Sequence, residues 1–148
     1  MPTPNQSCLQ PRITVIYMSI AGVGSGGTVF FDRHCDISLF TFGSDGVVAN
    51  TRSPAHISLT HELIHADRTT RGVIIPLNQW GSFSFEMARH PLSPLRIFGG
   101  PTRTVTHTFQ LEEFATIGLR YFTTLCITEN MIRQEHNLPL RASHRYTR

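Results

Sequence analysis

Apolar and β-branched positions cluster in short runs early in the chain and fall at helical spacing later. Residues 12–20 (R-I-T-V-I-Y-M-S-I), 28–31 (T-V-F-F) and 37–42 (I-S-L-F-T-F) are such runs, and A-G-V-G-S-G-G and F-G-S-D-G punctuate them. Short β-branched or aromatic runs bounded by turn residues predict strands of a small sheet. The pattern changes at Ser53, a good N-cap; Pro54 suits the first helical position and Gly72 the residue just past a helix end. Residues 73–103 hold apolar pieces broken by Pro76, Pro91, Pro94 and Pro101, which predicts a long connection with one short strand or hairpin. T-V-T-H-T-F-Q at 104–110 then suits an extended stretch. Residues 111–122 suit a helix with Phe114, Ile117 and Tyr121 on one face. Thr128 caps a last helix that Asn137 and Pro139 end. The expected class is α+β: one domain over residues 1–148, with a small mixed or antiparallel sheet packed on the 54–71 helix and helices towards the C-terminus.

Composition narrows the function more than the fold. A chain of 148 residues buries about two-thirds of its unfolded surface and needs no staples. No run approaches the roughly 18 apolar residues that cross a bilayer, and M-P-T-P-N-Q-S-C has neither a basic start nor an apolar signal stretch. The expectation is a chain with no membrane span and no Sec-type export signal. Cys8, Cys35 and Cys126 are odd in number and unrelated in spacing, which argues for free thiols packed as small hydrophobes. The formal charge of +3 is modest and scattered, without a basic stripe interleaved with aromatics, so a nucleic-acid partner is not expected. All thirteen basic residues are arginine. Two readings of the missing lysines stand: biased codon usage, or a protein working in a eukaryotic cytosol with no side-chain amine open to ubiquitin attachment. Gly22, Gly24 and Gly27 spell G-x-G-x-x-G, but strand-prone T-V-F-F follows where a dinucleotide site needs a helix to open.

The chemistry lies in S-L-T-H-E-L-I-H-A-D at 58–67. Helix positions i and i+4 lie about 40° apart around the axis, so the imidazoles of His61 and His65 can converge on one ion. Glu62 stands roughly 100° from His61, off the metal but close to a water beside it. Zinc hydrolysis wants that arrangement. Shuffling this composition yields H-E-x-x-H in roughly 2% of chains, so the motif is informative only with its context. Leu63, Ile64 and Ala66 supply that context as apolar surface to bury. A catalytic zinc needs a third protein ligand. Asp67 points about 200° from His65 and faces solvent. Glu112 and Glu113 open an otherwise apolar helix whose N-terminus favours a carboxylate, and since neighbours diverge by about 100° only one of them can bind metal. His90 and His107 are the fallback ligands. His34, His56, His136 and His144 read as exposed or locally satisfied.

With these residues in view, the chain resembles the glutamate-third-ligand zinc peptidases: the NleD-like effector metalloproteases injected by type III secretion and, more distantly, the clostridial neurotoxin light chains. The resemblance rests on L-T-H-E-L-I-H-A at 59–66, L-E-E-F-A-T-I-G-L at 111–119 and I-T-E-N-M-I-R-Q-E-H-N-L-P-L-R at 127–141, followed by Tyr146, and spans about residues 55–146. It implies a zincin-like core and one Zn2+ on His61, His65 and Glu113, with Glu62 as general base. Arg141 and Tyr146 would face the scissile carbonyl, although their spacing departs from the usual arginine-x-x-tyrosine and lets Arg145 compete with Arg141. Glu112, Thr116 and Glu129 are expected to orient a ligand or an arginine. The implied activity is hydrolysis of a peptide bond in a host signalling protein, such as a mitogen-activated protein kinase, after type III secretion into the host cytoplasm. An interbacterial toxin peptidase and an inactive metal-binding interaction module are the alternatives.

Overall fold

The computed structural model describes residues 22–33, 36–89, 93, 100–119 and 127–146, with the backbone alone for residues 145 and 146. The expected strand at 12–20, the three cysteines, His34, His90 and the Tyr121 end of the 111–122 helix lie outside these residues. Among the described residues the class is α+β: a mixed five-stranded sheet and three helices. The strands are β1 (Ile37–Phe42), β2 (Val48–Ser53), β3 (Trp80–Ala88), β4 (Thr102–Gln110) and β5 (Arg141–Tyr146), in sheet order β4-β3-β2-β1-β5. The helices are α1 (Ala55–Thr70), α2 (Leu111–Ile117) and α3 (Glu129–Glu135). Only β2 and β3, which α1 connects, run parallel. The other pairs are antiparallel. No helix among the described residues is long and apolar enough to cross a membrane.

The β1 strand falls where the apolar run at 37–42 predicts, and its buried positions alternate. Residues 28–31 do not form a strand: Val29 makes an isolated bridge, and Phe30 and Phe31 are exposed among the described residues. The glycines before them serve the helix instead. Gly22 N donates to Gly72 O at 2.9 Å and Ser25 N to Thr69 O at 3.3 Å, covering carbonyls at the end of α1. That approach requires glycine, because a Cβ on Gly24 would lie 2.0 Å from Thr70 O.

The start of α1 shifts by one residue. Pro54 takes the cap position and Ala55 N donates to Asp36 Oδ1 at 3.2 Å. Ser53 pairs with Ile37 in the ladder, and its Oγ accepts from Arg133 Nη2 at 2.7 Å, so it is not available as a cap. The 73–103 connection is also more ordered than its prolines suggest. β3 and β4 form a hairpin with nine paired positions, Trp80↔Gln110 to Ala88↔Thr102, and Ser82–Thr108 and Ser84–Thr106 hydroxyl pairs run along its exposed face.

Two apolar clusters hold the layers together. Val48, Phe85 and Ala142 join β2, β3 and β5, with Phe40, Phe42, Phe83, Met87 and Val105 packed against them. Phe109, Phe114, Ile117 and Leu119 anchor α2 under the hairpin, and the Phe109 and Phe114 rings stack with centroids 4.1 Å apart. α2 is shorter than its apolar pattern predicts, because Gly118 turns left-handed at φ +84° and Gly118 N and Leu119 N both return to Phe114 O. Thr128 caps α3 as expected, accepting from Met131 N at 3.3 Å.

Gly118 couples the two helices: an added Cβ would meet Thr128 Oγ1 at 2.6 Å. Gly118→Ala is expected to lower stability by about 1–3 kcal/mol, through left-handed strain and displacement of the cap. Urea unfolding checks this, and an unchanged midpoint would contradict the coupling.

Candidate metal centre

The buried stripe of α1 is not purely apolar. It runs Ala55, Ile57, Ser58, His61, Ile64, His65 and Thr69, so both histidines face the interior, while Leu63 stays half exposed instead of adding to the buried face. α2 meets that stripe with its first turn, as β4 runs directly into the helix at Gln110 and delivers Glu112 and Glu113 side by side.

The neighbours then part. Glu113 Oε2 lies 3.1 Å from His61 Nε2 and 3.3 Å from His65 Nε2, and the two Nε2 atoms are 3.2 Å apart. These three side chains form a group able to hold a metal ion. A tetrahedral zinc with bonds of about 2.0–2.1 Å spaces its ligand atoms about 3.3–3.4 Å apart, so the triangle matches one face of such a site in size and donor type. The residues present therefore fit one divalent cation, with Glu113 and not Glu112 completing the set.

Each histidine is held at its other nitrogen by a buried carboxylate. His61 Nδ1–H donates to Glu129 Oε2 at 2.8 Å, and His65 Nδ1–H faces Glu112 Oε1 at 3.3 Å with Thr116 Oγ1 3.2 Å away. These contacts leave the Nε2 lone pairs aimed at the common point, the tautomer a metal ligand needs. The carboxylates are held in turn by arginines. Arg68 grips Glu112 in a fork, Nε to Oε1 at 2.7 Å and Nη2 to Oε2 at 3.1 Å, and Ile75 N adds 2.8 Å. Glu129 accepts from Arg133 Nε at 2.7 Å and Arg141 Nη1 at 2.6 Å. Glu112, Thr116 and Glu129 thus contact the two histidines of this group, as expected.

The resemblance implies that Arg141 faces the scissile carbonyl, and the structure shows what holds its side chain. Arg141 is only 2% exposed; besides Glu129, its Nε donates to Ser143 O at 2.8 Å and its Nη2 to His144 O at 2.9 Å. Its Nη1 also lies 3.4 Å from His61 Nδ1. Tyr146 ends β5 opposite Leu39, and its side chain lies outside the described atoms, as does that of Arg145. His107 stands apart from the triangle, bonding Ser143 Oγ at 2.6 Å between the rings of Phe40 and Phe85. His56 and His136 meet with ring centroids 5.3 Å apart, outside the three-residue group. Asp67 is exposed, as its position on the helix predicts, and pairs with Arg71 at 2.7 Å. Sequence reasoning missed His144, whose Nε2 lies 3.2 Å from Glu113 Oε2 and whose ring stacks on His61 with centroids 6.0 Å apart.

Electrostatics in the metal-free protein show the same demand for positive charge. Burial opposes charge on His65, yet hydrogen bonds to Glu112 and Glu113 raise its pKa to about 10. His61 is raised for like reasons, burial being outweighed by Glu113 and Glu129. Burial alone would raise the carboxyls of Glu113 and Glu129. The imidazoles hold Glu113 well below the usual range, and Arg141 together with His61 does the same for Glu129. Burial pushes the Glu62 carboxyl up, and burial with the charge of Arg141 and the other imidazoles takes His144 down to about 4 despite Glu113. Comparison with protein-family models, curated proteins and solved structures gives no significant match.

Two expectations follow from this geometry. For metal-free protein, a raised histidine stabilises below its unfolded value of 6.5, and that stability is lost as pH rises towards about 10. Depressed carboxylates stabilise above their unfolded value of 4.5 and lose that contribution as pH falls, while His144, lowered to about 4, works against stability below 6.5. Thermal unfolding in chelator should therefore peak near pH 6.5, and zinc should flatten the alkaline decline; a flat metal-free profile from pH 6 to 10 would contradict the charge assignment. In metal analysis, Glu113→Ala should weaken zinc by far more than the roughly 10- to 100-fold expected of Glu112→Ala. The reverse order would move the ligand by one position.

Proposed function

We propose that the protein is a zinc-dependent endopeptidase, and the observation that carries this reading is the triangle of His61 Nε2, His65 Nε2 and Glu113 Oε2 with edges of 3.1–3.3 Å. A structural zinc takes four protein ligands, whereas a catalytic one keeps a position for water. Among the described residues the mutually close group contains three. A divalent cation there supplies a more acidic water and a polarised carbonyl oxygen.

The remaining work falls to side chains of this chain. Glu62 follows the first ligand directly on α1, and its raised carboxyl suits a base that must also act as an acid. It takes one proton from the attacking water as the water oxygen bonds to the carbonyl carbon and the carbonyl π pair moves onto oxygen. On collapse the carbonyl re-forms, the C–N bond breaks, and Glu62 passes that proton to the leaving nitrogen. Glu129 and Glu112 keep the histidines in register throughout, and Arg141 holds Glu129 and the backbone of β5 behind them. In this reading Arg141 acts through these partners, and Tyr146 remains a proposed contact for the scissile carbonyl.

The zincin-like core, secretion by a type III system and a host signalling protein as substrate, such as a mitogen-activated protein kinase, are proposed from the resemblance carried by the motifs at 59–66, 111–119 and 127–141. The missing lysines agree with work in a host cytosol.

Glu62→Gln is expected to retain one zinc per chain and to lose cleavage by about two orders of magnitude or more. Zinc-loaded wild type and the variant, each incubated with host-cell lysate, are compared by mass spectrometry of new peptide termini. Termini formed equally by both would refute Glu62 as the base.

A further inference from the structure

An enzyme of this kind needs a donor for the oxygen that becomes negative when water adds to the carbonyl, and that donor has to be reachable from outside. Around the triangle, the polar side chains held by hydrogen bonds and ion pairs differ sharply in access. His61 and His65 are 3% and 8% exposed at the side chain, Glu129 1% and Arg141 2%. His144 is 32% exposed, and its Nε2 is 3.2 Å from the Glu113 oxygen that forms one corner of the triangle. It is close to the site without belonging to the three mutually close ligands.

The backbone is built to put it there. Between the Leu39↔Tyr146 and Thr41↔Arg141 pairings β1 advances two residues while β5 advances five, so β5 carries three extra residues. Such a bulge re-aims a side chain out of the ladder. This one is fixed from inside: Arg141 donates to the carbonyls of Ser143 and His144, and Asn130 on α3 clamps Arg141, accepting from its N at 2.7 Å and donating to its O at 3.1 Å. Ser143 is pinned to His107 on one side, while on the other the His144 ring lies over His61. A buried guanidinium, a bulge and a stacked imidazole are more than a solvated surface histidine requires.

We propose that His144 is the substrate-facing donor of the site, its Nε2–H passing from Glu113 to the oxygen of the bound carbonyl, with Arg141 as the positioning residue that holds the bulge. This rests on the peptidase reading and deepens it by naming the group that touches substrate.

The test uses the full chain loaded with Co2+, whose absorption spectrum reports coordination, and acetohydroxamate as a probe that brings a carbonyl oxygen to the metal. Wild type, His144→Phe, His144→Gln and His61→Ala are compared for Co2+ affinity, spectrum, acetohydroxamate affinity and thermal unfolding. The expected result is an unchanged Co2+ spectrum in both His144 variants, Co2+ affinity lowered by no more than the roughly 10- to 100-fold that losing a hydrogen bond to a ligand costs, and, at Co2+ saturation, acetohydroxamate bound about 10-fold more weakly by His144→Phe. His144→Gln, which keeps an N–H donor, should recover most of that loss. Unchanged acetohydroxamate affinity in His144→Phe overturns the donor role and leaves the peptidase reading standing. Loss of Co2+ in His144→Phe to the same degree as in His61→Ala makes His144 a ligand and overturns the donor role by a different route. Wild type that binds no Co2+ overturns the metal reading and the donor role together. Should His144→Phe unfold at a lower temperature, the glutamine variant decides, since a donor role requires it to track wild type.

Discussion

Three acceptor atoms brought within 3.1–3.3 Å of one another inside a protein repel unless a proton or a cation lies among them. That constraint organises the rest of the molecule. Two imidazole nitrogens and a carboxylate oxygen stay together because each histidine is pinned at its far nitrogen, each pinning carboxylate is held by arginine, and the arginines end on backbone. Arg133 reaches Ser53 at the end of β2 and the Pro139 carbonyl; Arg68 reaches the Val73 carbonyl; Arg141 reaches the carbonyls of Ser143 and His144. The charge demand at the centre is thereby distributed through α1, α3, β2 and β5.

Such a network is a poor source of net stability. Desolvating Glu129, Arg133 and Arg141, each about 1–2% exposed, costs as much as their attraction returns, and breaking one pair leaves a buried charge costing about 3–5 kcal/mol. Stability comes instead from the apolar clusters around Phe85 and around Phe114, which are separate from the ion pairs. The division has a functional logic: the apolar layers hold the elements rigid, and the polar network sets side chains to the few tenths of an ångström that a metal centre needs.

Irregular backbone does the fine placement. Glycine approaches close the end of α1, a left-handed Gly118 stops α2 one residue after Ile117, and the bulge in β5 turns His144 towards Glu113.

The helical repeat was enough to put His61 and His65 on one face of α1, because i and i+4 neighbours are set by local geometry alone. Thr128 as a cap and β1 as a strand were legible for the same reason: the determining partners lie a few residues away. The helical pattern alone left Glu112 and Glu113 open, since both open the same helix; the resemblance pointed to Glu113, and the structure places Glu113 Oε2 beside both Nε2 atoms while Glu112 turns to His65 Nδ1 and Arg68. β2, with only Val48 and Ser53 buried, shows little strand pattern of its own and exists through its pairing with β1 and β3. Ser53 lost its cap role to Arg133, eighty positions along the chain. His144 read as an ordinary surface histidine because its position depends on a bulge, a buried arginine and an asparagine on α3. Local sequence determined which elements and which metal-binding residue types were available; contacts between residues far apart in the chain decided which of them meet, because only packing sets the orientation of one element against another.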